Sequence, residues 1–303
     1  MESPTHTIDY DSNLYPPLLR EIAQPPHQLY VRGSLETLQE RYLLAVVGSR
    51  KSTHYGKQCL THLLPPVIRA GLVIVSGMAY GIDALAHRAC VQAQRPTIAV
   101  LGSGIDDYSI YPRTHITLAK QILKVGGTLV SEYPPGTPGF KQHFPARNRI
   151  ISGLCQTTMI VQAAQRSGSL ITARLALEAN RNVCAVPGSI MDPLAAGTNH
   201  LIQEGATPIV SGTDILELYG LSPVLDQAVA NQAILTPEQT TLLSYLSHVP
   251  LHIDDITTQS SLDGATIAAL LTELELQDHI QHVGGMKYVK KAVGNTKTSL
   301  PLP

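Results

Sequence analysis

Tryptophan is absent from the 303 residues, and phenylalanine occurs only twice, at positions 140 and 144. Cysteine is scarce as well. Cys59, Cys90, Cys155 and Cys184 stand about thirty residues apart with no C-x-x-C pair, which excludes a zinc knuckle and a secreted disulfide framework. Nowhere do eighteen apolar residues run together, and the opening MESPTHTIDYDSNLYPP lacks a basic stretch followed by an apolar one. Neither membrane insertion nor export is expected, and a reducing cytoplasm is the expected location.

One sign of charge is missing from a third of the chain. Between Asn182 and Met286 there are 12 acidic side chains and no Lys or Arg, whereas Arg41 to Arg181 holds 16 basic and 5 acidic ones. The net charge of −1 therefore conceals a middle that attracts a polyanion and a following segment that repels one. With 44% apolar residues the chain can build a sizeable core, and its length suggests one large domain plus a small one.

Short β-branched runs bounded by Gly, Ser or Pro recur at 43–47, 72–76, 97–101, 128–131, 158–162 and 183–186. Near-continuous apolar runs of this length are strands buried on both faces, and helical periods separate them. The expected class is α/β, an extended Rossmann-like doubly wound, mostly parallel sheet. Residues 1–40 read as a lead-in segment, 41–220 as the Rossmann-like domain and 221–233 as a linker. Thr236-Pro237-Glu238 opens a helix with a threonine cap, two more amphipathic segments follow, and two extended runs flank Gly284-Gly285. Three helices closed by a hairpin make 234–291 a winged-helix domain, with a flexible tail at 292–303.

The chemistry-bearing residues gather at strand ends. Gly48, Ser49 and Arg50 follow the first run, Ser76 and Gly77 the second, and Ser167, Gly168 and Ser169 the fifth. Each is a strand-to-helix turn whose small residues let backbone N–H groups approach a phosphate, although capping alone also explains the serines. Asp83 and His87, four apart on a helix, are either an acid–base pair or a structural one. Loops at 48–51, 76–81, 167–169 and 187–189 are expected to converge on one rim, because ligands of open α/β sheets bind outside the carboxyl ends of the strands. The densest signal is Phe140-Lys141-Gln142-His143-Phe144-Pro145-Ala146-Arg147-Asn148-Arg149. Cations interleaved with rings suit single-stranded nucleic acid, the former tracking phosphates and the latter stacking bases. The competing reading makes Phe144 a core residue and has Arg147 and Arg149 bond carbonyls or carboxylates.

The ordered series Gly48-Ser49-Arg50, Ser76-Gly77-Met78-Ala79-Tyr80-Gly81-Ile82-Asp83, Phe144-Pro145-Ala146-Arg147-Asn148-Arg149 and Ser167-Gly168-Ser169-Leu170-Ile171-Thr172 resembles the DNA-processing protein A family, DprA or Smf. The resemblance implies a single-stranded DNA binder that forms a homodimer and loads the RecA recombinase in natural transformation. It also implies that Arg50, Lys141, Phe144, Arg147 and Arg149 contact DNA. Position 80, often Arg in the family, is Tyr here. No cofactor, metal or catalytic residue is expected. A nucleotide-cleaving phosphoribohydrolase is the first alternative, but it calls for a P-G-G-x-G-T loop where this chain has Pro187-Gly188-Ser189-Ile190. A winged-helix regulator is the second, and its recognition helix at 263–278 lacks Lys and Arg.

Overall fold

The computed structural model describes residues 4–222, 235–247, 249–260, 262–277 and 279–290, which fall into two compact units divided after Val224. The linker from residue 223 onward and the tail lie outside the described residues.

The first unit runs β1 (Thr5–Asp9), α1 (Pro17–Arg20), β2 (Gln28–Gly33), α2 (Leu35–Leu38), β3 (Leu43–Val47), α3 (His54–Arg69), β4 (Val73–Ser76) and α4 (Ile82–Gln92). It continues through β5 (Thr97–Val100), a 3-10 turn at Arg113–His115, α5 (Ile116–Lys124), β6 (Thr128–Ser131), α6 (His143–Leu154) and β7 (Thr157–Ile160). It closes with α7 (Gly168–Glu178), β8 (Asn182–Ala185), α8 (Ala196–Gln203), β9 (Thr207–Pro208) and α9 (Gly212–Glu217). The sheet order is β1-β2-β6-β5-β4-β3-β7-β8-β9, parallel from β6 to β9.

All six expected strands are present, and β3 to β7 are buried along their whole length. Their side chains alternate between the two faces of the sheet. Leu43, Ala45 and Val47 join Val73, Ile98, Ile150 and Leu154 on one face, while Leu44 and Val46 join Leu60, Leu64, Ile74 and Met159 on the other. Each face is thus dry, as a parallel sheet requires.

The lead-in segment is corrected by the structure. β2 pairs antiparallel with β6, and β1 pairs antiparallel with β2, so residues 5–33 extend the same sheet. Their signal was weak because only one residue of β1, Ile8, is buried, and β2 alternates faces.

The second unit holds α10 (Pro237–Tyr245), β10 (Leu251–His252), α11 (Ile253–Gln259), α12 (Gly264–Leu276), β11 (Ile280–His282) and β12 (Lys287–Lys290), with sheet order β10-β12-β11. Thr236 caps α10 in a reciprocal capping box with Gln239, and Pro237 occupies its first turn. Leu242, Leu246, Ile256, Ile267, Leu271, Leu274 and Ile280 form its separate core. Among the described residues no helix is long and apolar enough to cross a membrane.

Candidate nucleic-acid interface

The chain turns back on itself at β3, which pairs with β4 on one side and β7 on the other. The helices after β3 and β7 leave the sheet on opposite faces, so a crevice opens beyond the carboxyl ends of these two strands. A cavity of about 350 Å³ fills it. Its floor comes from Gly48 and Ser49 after β3, one wall from Ser167, Gly168 and Ser169 opening α7, and the other from Phe144 and Asn148 in the first turns of α6. Three of the four expected loops therefore meet, Ala79 entering from the third. The loop at 187–189 does not join them. It lines a separate cavity with Tyr55 and Asp192, Tyr55 donating a hydrogen bond to the Pro187 carbonyl.

Phe144 is half-buried at the mouth, and the Arg50 guanidinium stands 5.6 Å from its ring centre. Tyr111 packs against the same ring at 5.2 Å between centroids. Behind them His143 stacks on Tyr133 at 3.9 Å, with Phe140 edge-on to His143 and about half exposed. Arg50, Lys51, Lys141 and Arg166 are all exposed, and all but Lys141 line the cavity. Lys51 and Arg166 carry no signal of their own in the sequence. Their only mark is position, each flanking a strand-end turn already singled out.

Two of the expected DNA contacts are committed elsewhere. Arg147 is buried, and its guanidinium donates to the carbonyls of Gly77 and Val100, at the carboxyl ends of β4 and β5. Burial lowers its pKa to about 10, opposed by the nearby Asp83 charge. Arg149 forms a forked ion pair with Glu132, at 2.6 and 3.1 Å, both side chains largely covered. Here the competing reading of the motif describes the geometry: these arginines clamp α6 onto the sheet.

Ser76 and Gly77 likewise make contacts within the fold. Ser76 is fully buried and donates to the Val46 carbonyl at 2.6 Å. Gly77 is glycine because a Cβ there would overlap the Arg147 guanidinium, so the close approach serves a side chain and not a phosphate. The Asp83 carboxylate accepts from the amides of Gly77 and Ala79 at 3.2 and 3.3 Å. Burial pushes its pKa up, with Arg147 pulling the other way. His87 is buried against Thr97 at 2.9 Å, and burial, aided by the Arg147 charge, depresses its pKa to about 3. Asp83 and His87 thus brace the loop from below as separate anchors. Ser167 caps α7 and shares a 2.8 Å hydrogen bond with Ser169, so the hydroxyls cap the helix while sitting on the cavity wall.

The arrangement offers a covered ring, a guanidinium over it and further cations around a polar crevice, which suits a chain of phosphates and bases more than a single small molecule. Comparison with known proteins agrees. The family model for DNA recombination-mediator protein A matches residues 6–220, and the DprA winged helix domain model matches 226–286. DNA processing protein DprA of Bacillus subtilis is 46% identical over 71% of this chain and 72% of its own length. Protein Smf of Escherichia coli is 37% identical over 99% of this chain and 82% of its own length. The crystal structure of DprA from Streptococcus pneumoniae superposes with a TM-score of 0.65 at 42% identity, covering 71% of this chain and 74% of that one. DprA of Helicobacter pylori, whose structure addresses a single-stranded DNA binding mode, gives 0.64 at 29% identity, covering 72% and 98%. With both units matched in order and relatives aligned along most of its length, the chain belongs to the DNA recombination-mediator protein A family.

Proposed function

We infer that this chain binds single-stranded DNA with little regard to sequence, as a dimer in the cytoplasm, and delivers it to RecA during natural transformation without catalysing a reaction of its own. The observation that carries this reading is Arg50 poised over Phe144 at the mouth of the switch-point crevice, ringed by the exposed cations Lys51 and Arg166. A π face accepts any base, and cations on long stems accept any phosphate, so the chemistry tolerates sequence. It also favours a single strand, because a base must leave its stack to reach a ring. The surplus of 11 positive charges between Arg41 and Arg181 supplies long-range attraction. Family membership and the single-stranded DNA binding mode of the Helicobacter pylori relative support the same assignment.

Handing DNA to a recombinase requires a grip that holds without base-specific hydrogen bonds, since such bonds would fix the protein in place. A non-catalytic role fits the side chains in reach, for the Asp83 carboxylate at the crevice is engaged by the amides of Gly77 and Ala79, and His87 is fully buried. The deciding experiment titrates the protein against labelled single- and double-stranded oligonucleotides over a range of salt. Preference for the single strand that weakens with salt is expected, and equal affinity for both forms overturns the reading. RecA delivery is checked by the lag before RecA hydrolyses ATP on a strand precoated with single-strand-binding protein, which this protein should shorten. Sedimentation tests the dimer.

A further inference from the structure

We propose that the bound strand continues past the switch-point crevice, over Tyr80, into a second basic groove between α3 and α4 that acts as an additional single-stranded DNA subsite. The proposal rests on the single-strand reading of the first site and extends its track.

The groove is the roomiest cavity of its unit among those described, about 620 Å³. Its walls carry Lys57 in the first turn of α3 and Arg88 on α4, with His54 and Thr114 at the edges. Lys57 and Arg88 are exposed, and among the described residues neither is paired with a carboxylate and no acidic residue lines the space. Cations that support the fold are held by partners, as Arg147 and Arg149 are. Among the described residues these two have no such partner, and they line the same hollow.

Continuity comes from shared walls. Arg50 and Phe144 line the crevice and also a small cavity of about 130 Å³ beside it. Tyr80 lines that small cavity and the large groove as well. A strand leaving Phe144 therefore meets Tyr80 next, then Lys57 and Arg88.

Tyr80 is built as a platform. Its hydroxyl is bonded to Thr114 Oγ1 at 3.0 Å and its ring meets His115 edge-on at 5.0 Å, yet the residue stays 47% exposed. The backbone beneath is fixed from three sides. Asp83 holds the amides of Gly77 and Ala79, Arg147 the carbonyl of Gly77, and buried His115 the carbonyl of Met78 at 2.8 Å. Gly81, at φ +76°, closes the turn against the Ser49 carbonyl where no Cβ fits. A ring held this firmly loses little entropy when a base stacks on it, which is the advantage of preorganisation.

The test compares oligothymidylates of about four and about twenty nucleotides on the full-length protein. The double variant K57Q/R88Q replaces exposed side chains and leaves folding intact. It should bind the short strand as the wild type does, bind the long strand more weakly, and lower the salt slope for the long strand by about 1.4, at about 0.7 per phosphate. Tyr80→Ala should weaken only the long strand, by about 5- to 150-fold, the range of one lost stack, whereas Tyr80→Phe should keep its affinity. Equal binding of both lengths by wild type and K57Q/R88Q overturns the second subsite and leaves the first standing. Equal losses on both lengths also overturn it, since the cations would then belong to the first site. If the wild type binds neither length, both readings fall.

Discussion

The Arg50 guanidinium sits 5.6 Å from the centre of the Phe144 ring, and the two come from distant parts of the Rossmann-like unit's sequence, one after β3 and the other in α6. The pair joins both forces a single strand can use at one point. On the proposed reading a base stacks at Phe144 while the phosphate beside it meets Arg50.

Phe144→Ala should therefore weaken single-strand binding by about 1–3 kcal/mol at every salt concentration while leaving the salt slope unchanged, because stacking releases no counterions. Phe144 is half-buried, so its loss should cost less stability than the roughly 3–5 kcal/mol of a core phenylalanine. Anisotropy titrations beside urea melts separate the two: a full core-sized loss of stability with intact affinity assigns Phe144 to packing alone.

The exposed cations Arg50, Lys51, Lys141 and Arg166 set the electrostatic contribution of the first site. At about −0.7 per phosphate, four contacts give a slope of log K on log salt near −3 per protomer for a short strand, and each single alanine substitution should remove about 0.7. Arg149→Gln should leave that slope alone and act on stability through the broken Glu132 pair. A slope lowered by Arg149→Gln would show that the pair opens onto DNA.

How much of this was legible follows from what each residue's role depends on. β3 to β8 announced themselves because a strand covered on both faces must be apolar at nearly every position, and Leu43–Val47 and Val73–Ser76 are. β1 hid because Thr5, His6, Thr7 and Asp9 look like loop residues and only its Ile8 is buried, and β2 because it buries only alternate residues, Leu29 and Val31. Within the α6 motif Phe144 lines the crevice, while Arg147 is buried against two carbonyls. Nothing local distinguishes Arg147 from Arg50. Their fates differ because Gly77, seventy residues upstream, leaves a hole that one guanidinium fills. Arg166 was missed for the converse reason, since it becomes a wall of the site only when α7 is set opposite α6.

Arg147 should behave as a positioning residue. Arg147→Ala abandons the buried carbonyls of Gly77 and Val100 and leaves the Asp83 carboxyl without its nearby opposing charge. The expected cost is about 3–5 kcal/mol of stability. Arg147→Lys should recover only part, because one ammonium cannot reproduce the planar fork. Urea denaturation measures both, and a variant as stable as the wild type rules the clamp out.

His87 gives the fold an acid sensitivity. Its folded-state pKa of about 3 lies below the ordinary 6.5, so in mild acid the unfolded chain binds a proton that the folded chain refuses. The folded-state advantage is complete above about pH 6.5 and shrinks as pH falls toward 3. From pH 7 to pH 5 this single group should remove about 2 kcal/mol of stability. His87→Gln, which keeps a polar group for Thr97, should show a flatter stability profile over that interval than the wild type. Parallel profiles would mean that other groups govern acid sensitivity.

The winged-helix unit should contribute little to holding DNA. From Leu235 to Met286 its sequence has seven carboxylates and no Lys or Arg. Glu273 and Glu275 are exposed on α12, the helix that would have to enter a groove, and they accept hydrogen bonds from Gln239 and the His282 amide. Asp263, fully exposed at the N-terminus of α12, accepts from Thr266 and the following amides, which hold its carboxyl below the usual range and keep it charged. A helix carrying these charges is repelled by phosphates, not drawn to them. Its core is complete enough for an independent module, which fits contact with another protein. Deleting residues 225–303 should therefore leave most single-strand affinity in the remaining fragment, measured by anisotropy at matched salt. Lys287 and Lys290 on β12 are the cations that could reverse this, standing where a wing touches a backbone. Micromolar binding of oligonucleotides by the isolated unit at physiological salt would show that they do.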